Sequence, residues 1–227
     1  MEAVDTENLS EELLIFHCSP TMAGLKTGNL FNCPVKNNRM FLENIREMNR
    51  RLIPRGVRIV PLKNMGQSVL VYMYRPDRLR EDLGDSAARK ILAERDYPVG
   101  EPEKCIVWLV RRLKDEEAFP HEIGLFLGYP PEDVDGFIRN GAAGAKCIGT
   151  WKVYGNVETA QRKFAQYKKC TRLYWKAFQK HRSFDRLVVR RSAVCPWARR
   201  WCREYVYFAQ NEKLVFPNIL VRMIKPE

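Results

Sequence analysis

No two of the seven cysteines stand at Cys-x-x-Cys spacing, and seven is an odd number. That argues against a redox dithiol, a zinc knuckle and a full disulfide framework, and for free thiols in a reducing compartment. Cys18, Cys33, Cys105, Cys147, Cys170, Cys195 and Cys202 are scattered along the chain. Histidine is scarcer still, at His17, His121 and His181, so imidazole chemistry has few places to occur. No stretch approaches the ~18 consecutive apolar residues of a membrane-spanning helix. The acidic, polar segment 1–12 lacks the basic start and apolar run of a signal peptide, and a cytosolic protein is expected. There is no internal repeat, no low-complexity tract, and no G-x-x-x-x-G-K-[ST] phosphate loop.

What is present is a chain of 227 residues, 45% hydrophobic and 11% aromatic, enough for a substantial core in one domain with an extension or in two small ones. Its formal charge of +12 is unevenly placed. Residues 1–155 hold 22 Lys and Arg against 22 Asp and Glu, whereas residues 156–227 hold 17 against 5. Such asymmetry points to an anionic partner for the C-terminal third.

Leu13-Leu14-Ile15-Phe16 is an apolar run ending at His17, and Pro20 breaks or starts an element. Read as a strand, this run directs His17 and Cys18 to opposite faces. Met40, Phe41, Ile45, Met48 and Leu52 predict a helix over 39–53, stopped by Pro54-Arg55-Gly56. The β-rich runs 57–62 and 68–74 flank Asn64-Met65-Gly66 and predict a hairpin, the second run being apolar enough for a central strand. A helix is predicted over 78–94 with Leu79, Leu83, Ala87, Ile91 and Leu92 on one face. Another covers 103–113, with Ile106, Leu109, Val110 and Leu113 inward. Residues 119–129 read as a short helical segment stopped by Gly128, and Pro130-Pro131 opens a helix to about Asn140. Residues 147–154 read as a strand. Asn156 caps a long helix to about His181, packed through Ala160, Phe164, Tyr167, Tyr174 and Phe178. Residues 184–189 read as a closing strand. The expected fold is α+β: a mixed sheet with a central hairpin, packed by several helices, in a single domain over 1–189. A basic, aromatic extension covers 190–227, where Trp197, Trp201, Tyr205 and Phe208 recur as one helical stripe.

Three blocks carry a family resemblance. One is His17-Cys18-Ser19-Pro20-Thr21 running on to Lys26-Thr27-Gly28-Asn29-Leu30-Phe31. The next is Phe119-Pro120-His121-Glu122-Ile123-Gly124-Leu125-Phe126-Leu127-Gly128-Tyr129-Pro130. The last is Trp151-Lys152-Val153-Tyr154-Gly155 with Tyr167-Lys168-Lys169-Cys170. Over about residues 10–189 the chain resembles the bacterial family catalogued as domain of unknown function 3793. The resemblance implies a bacterial, cytosolic protein associated with flavodoxin and ferrous-iron transport genes, and therefore with iron or redox physiology. It brings no catalytic residues. Family members end near residues 184–189, so 190–227 is an addition.

Chemistry has three candidate settings. Cys18 as a nucleophile needs a base, and His121, oriented by Glu122 or Glu117, is the candidate. His17, Cys18, His121 and Glu122 are also ligand types that suit zinc or iron, although no spacing enforces a site. Thr21, Gly24, Lys26, Thr27 and Gly28 form a turn that can cradle an anion through backbone amides, with Lys26 as counter-charge. Each has a plainer counterpart: a packed Cys18, a hydrogen-bonded His17, a solvated Lys26. The two short helices over 119–140 imitate helix-turn-helix, but Glu132, Asp133 and Asp135 would repel phosphates. The expected function is binding of a small ligand, metal or cofactor through His17, Thr21, Lys26, Thr27, His121 and Glu122, with catalysis left open. The alternative is a nucleic-acid or anionic-membrane surface built from Arg162, Lys169, Arg172, Lys176, Arg199 and Arg200. Cofactor, ligand identity and oligomeric state stay open.

Overall fold

The computed structural model describes residues 9–115 and 119–190. The 190–227 extension beyond its first residue, with Arg199, Arg200 and the aromatic stripe, lies outside the described residues, as does Glu117. The order is α1 (Glu11–Met22), β1 (Gly28–Pro34), α2 (Asn38–Leu52), β2 (Arg58–Asn64), β3 (Ser68–Tyr74), α3 (Pro76–Gly84), α4 (Ser86–Ala93), α5 (Pro102–Asp115), α6 (Ile123–Phe126), α7 (Pro131–Asn140), β4 (Cys147–Ile148), β5 (Lys152–Val153) and α8 (Val157–His181). The class is α+β.

The main sheet has the order β1-β3-β2, antiparallel throughout, with Leu30 opposite Tyr72 and Val60 opposite the same Tyr72. Side chains alternate along β3. Leu70, Tyr72 and Tyr74 face a core built with α3 to α7, and Val69, Val71 and Met73 face one built with α1, α2 and the end of α8. The central strand is therefore covered on both faces, which is why its sequence is continuously apolar. Edge strand β2 carries Pro61, where the register shifts between Pro61 and Lys63: a residue without an N–H is tolerated at a sheet edge and at a bulge. On the same strand Asn49, buried on α2, donates to the Ile59 carbonyl at 2.8 Å and accepts from the Ile59 N–H at 2.9 Å. One side chain thus replaces a missing strand partner.

Five sequence expectations change. Residues 11–22 form a helix, not a strand. Ser10 caps it by accepting from Leu13 N at 3.2 Å, and Pro20 sits in its last turn, where its missing N–H costs the helix one i→i−4 hydrogen bond. Burial nearly all round explains why no helical period shows. Residues 28–34 are a strand that the sequence did not announce. The predicted 78–94 helix is two helices, because Asp85 accepts from Ala87 N and Ala88 N and starts α4 afresh, so that Ala88 is buried and Ala87 exposed. Residues 184–189 close the described chain with a 3-10 turn at Asp185–Leu187 and not with a strand; Phe184 and Val188 are buried, and Val189 N donates to the Met22 carbonyl at 3.1 Å. Residues 147–154 are a tight hairpin, β4 with β5, in place of one strand.

Arg75 joins these parts. It is 1% exposed. Its guanidinium donates to the carbonyls of Thr21 (2.6 Å), Met22 (2.6 Å) and Val189 (2.9 Å), while its backbone N–H donates to Thr27 O at 2.9 Å. Two of these carbonyls end α1, where Thr21 O also accepts from Gly24 N and Met22 O from Val189 N. The chain passes Arg75 closely at Gly24, whose φ of +74° suits glycine. Arg75→Met should lower unfolding free energy by about 3 kcal/mol, because three carbonyls lose a charged donor at once. The exposed control Arg39→Met should change it by no more than about 0.5 kcal/mol. Urea denaturation reads both, and a loss at Arg75 no larger than the control would remove its central role.

Candidate functional site

The described residues form a cleft of about 250 Å³ between the α6–α7 turn and the β4–β5 hairpin, lined by His121, Tyr129, Asp133, Phe137, Trp151 and Lys152 among others. Its walls are aromatic. The Tyr129 ring stacks on Trp151 with centroids 4.8 Å apart, and the edge of Trp151 meets Phe164 at 4.5 Å. His121 stands edge-on to Phe137 at 4.7 Å, and the Lys152 Nζ lies 4.9 Å from the Phe137 centroid.

Asp133 holds this geometry. It is the third residue of α7, where an acidic side chain suits the helix N-terminus. Its Oδ2 accepts from Trp151 Nε1 at 2.7 Å, and its Oδ1 accepts from the Tyr154 and Gly155 N–H groups at 2.7 Å each. A 3% exposed carboxylate thus pins the hairpin and the turn after it to α7, with its acceptor capacity largely used.

Lys26 reaches the same aromatic group from the first sequence block. Its Nζ lies 5.2 Å from the Tyr129 centroid, the residue is 4% exposed, and among the described residues no carboxylate pairs with it. Burial pulls the Lys26 amine down to about 8 from its ordinary 10.5. Burial, and then Tyr167, push the Tyr129 phenol up to about 12. Beside them Thr27 Oγ1 donates to Asp82, whose carboxyl burial raises. Gly128, at φ +72°, passes so close that a Cβ would stand 2.6 Å from Thr27 Oγ1. One residue from each block therefore meets here: Lys26, Tyr129 and Trp151.

The other expected site residues do not line the cleft. Cys18 is fully buried in the α1–α2 core, and burial pushes its thiol far up, toward the protonated form. A thiol held in that form is a poor nucleophile, and among the described residues no hydrogen bond joins it to His121. His17 stacks on Phe31 at 5.1 Å, and burial lowers its imidazole toward the neutral form; it does not line the cleft that holds His121. Thr21 Oγ1 donates to Asn29 at 2.7 Å. Glu122 is 2% exposed, accepts from the Tyr97 hydroxyl at 2.8 Å and pairs with Arg112 at 3.0 Å and Arg95 at 3.8 Å. It serves as an internal tie while its neighbour His121 is exposed at the cleft. Among the described residues no three His, Cys, Asp or Glu side chains are grouped to hold a metal ion. On α8, Arg162 pairs with Glu158 at 2.9 Å, and Lys169, Arg172 and Lys176 are exposed.

The blocks that meet at Tyr129 and Trp151 are those that carry the resemblance, and a family model spans them. The chain belongs to the family of proteins of unknown function designated DUF3793. The match covers residues 14–188, from within α1 to beyond the end of α8. No curated protein and no solved structure matches the chain. Membership in DUF3793 therefore attaches no ligand or reaction to the cleft, and its chemistry has to be read from the side chains. Sequence reading passed over Tyr129, Asp133, Phe137, Trp151 and Lys152, although the second and third blocks contain Tyr129, Trp151 and Lys152. The signal was a tryptophan and a lysine side by side next to a glycine turn.

The buried amine has a consequence for pH. The unfolded chain holds the Lys26 proton up to about 10.5, whereas the folded chain holds it only up to about 8. Between these values the unfolded state carries the extra proton, so this residue makes stability rise with pH across the window, and its cost is fully present below about 8. Lys26→Met should therefore stabilise the fold at pH 7, by up to roughly 3 kcal/mol, with the gain shrinking between pH 8 and 10. Denaturation of both proteins at a series of pH values reads the difference; a gain that does not change with pH would contradict the burial of a charged amine.

Proposed function

We propose that this DUF3793 protein binds a small organic ligand in the aromatic cleft around Tyr129 and Trp151. The observation that carries the reading is the convergence of the sequence blocks. Tyr129, Trp151 and Lys152 come from two distant segments, and the buried Lys26 of the third touches the Tyr129 ring. Concave, largely apolar sites with a few placed polar groups are the usual setting for small ligands. His121 is the expected site residue that this cleft retains. Lys26 and Thr27 stand behind its wall without lining it, so the expected anion cradle is not part of the cleft. Cys18, His17 and Glu122 support the fold around it. A bacterial cytosolic setting and a place in iron or redox physiology belong to this proposal and rest on the resemblance. No reaction is part of it.

Indole is a suitable neutral probe. In a ¹⁵N-labelled sample it should shift the amides of Gly124, Phe137, Lys152 and the Trp151 side chain and leave those of Leu30 and Val71 unmoved. Phe137→Ala should weaken binding about tenfold, the worth of one lost aromatic wall. Shifts spread over the surface without a cleft pattern would end the reading.

A second reading has its own observation. Lys168, Lys169, Arg172, Lys176 and Lys180 are exposed along α8, where Glu158 is the one acidic residue. This face is the setting for a nucleic acid or anionic membrane surface. Replacing Lys169, Arg172 and Lys176 with glutamate should abolish retention on heparin at low salt if the face binds polyanions; unchanged retention would remove it.

A further inference from the structure

The charges that line the cleft are unequal, and this sets what it can hold. Asp133 is the acidic lining residue, and its two oxygens are occupied by Trp151 Nε1 and the N–H groups of Tyr154 and Gly155 at 2.7 Å. It has little capacity left to receive a cation or a ligand donor. Lys152, by contrast, lines the cleft with an ammonium that makes no hydrogen bond or ion pair among the described residues and rests over the Phe137 ring at 4.9 Å. Lys146, at the start of the same hairpin, donates to Gly155 O at 3.2 Å beside the Glu132 side chain and does not line the cleft. Lys26 lies behind the Tyr129 wall, and exposed His121 supplies ring nitrogens on the lining itself. Among the lining residues, the charge left without a hydrogen-bond or ion-pair partner among the described residues is that of Lys152.

Size and shape restrict the rest. About 250 Å³ is below the roughly 300–1,000 Å³ of pockets for drug-sized ligands, so a single small ring system fits. Walls of Phe137, His121, Tyr129 and Trp151 offer ring faces and edges, which favour a flat partner. A carboxylate on such a ring can take the Lys152 ammonium in a charge-assisted hydrogen bond, which an amide matches weakly and an amine opposes.

We propose that the cleft is selective for a small planar ring bearing a carboxylate, with the ring between Phe137 and the Tyr129–Trp151 pair and the carboxylate on Lys152. This deepens the ligand-binding reading above and rests on it.

The test uses the full chain and three matched probes: indole-3-carboxylate, indole-3-carboxamide and indole-3-methylamine. Binding is followed by calorimetry, and the place of binding by the amide shifts of Phe137, Lys152 and Gly155. The carboxylate should bind in the cleft about tenfold tighter than the amide, and the amine weakest. Lys152→Met keeps the apolar stem and should erase the preference for carboxylate over amide while leaving amide binding within about twofold. Lys168→Met, on the exposed face of α8, should leave the preference intact. Equal or tighter binding of the amide or amine in the cleft overturns the charge selectivity and leaves the ligand-binding reading standing. No cleft shift with any of the three probes overturns both. A carboxylate preference that survives Lys152→Met overturns the assignment of Lys152.

Discussion

A buried guanidinium holds this fold together. Arg75 follows the central strand directly, and from there its side chain receives the carbonyl end of α1 and the last described turn of the chain. Helix α1 carries the first sequence block, and Arg75 N binds Thr27 O, at the start of β1. The position of Lys26, one residue earlier, follows from that bond. The register of the sheet, the exit of α1 and the approach of Lys26 to Tyr129 thus share one anchor. Burial of such a group is tolerated because its donors are spent on carbonyl acceptors.

The cleft is assembled by a different logic. The α7 N-terminus and the β4–β5 hairpin are short, the hairpin packing Trp151 and Val153 against α8. Asp133 joins them through three charge-assisted hydrogen bonds, one of them to the indole that forms the wall. Tyr129 then lies between that indole and the buried ammonium of Lys26. Site and scaffold are separable: Arg75, Glu122 and Cys18 belong to the frame, whereas His121, Tyr129, Phe137, Trp151 and Lys152 face the open space.

How far the sequence disclosed this depends on the element. The β2–β3 hairpin, α2, α5 and α8 were legible because each shows one clear period and a stop or cap: Gly56 at φ +74° after α2, Asn156 accepting from Thr159 N before α8. Helix α1 was not, because Leu13, Leu14, Ile15, Cys18 and Ser19 are all buried and leave no polar face to reveal a helical period. Strand β1 was hidden by Asn29 and Asn32, which break its alternation. The 78–94 stretch kept an apolar face across two helices because the break at Asp85 costs a single residue. At the site, the distinctive blocks were visible but not which of their residues meet. The scarcity of histidine drew attention to His17 and His121 together, and the cleft holds only His121. Asp133 looked like a poor DNA-reading residue, which it is, and its use as a clamp depends on a hairpin twenty residues on.

The account turns on Lys26 standing as a buried amine against the Tyr129 ring. The direct measurement is an NMR titration of the Lys26 side chain, its ε-carbon and ε-protons assigned by comparison with Lys26→Met. The account predicts ε-protons moved upfield by the tyrosine ring and a midpoint at about 8. An unshifted resonance that titrates with the exposed lysines, near the ordinary 10.5, would contradict it.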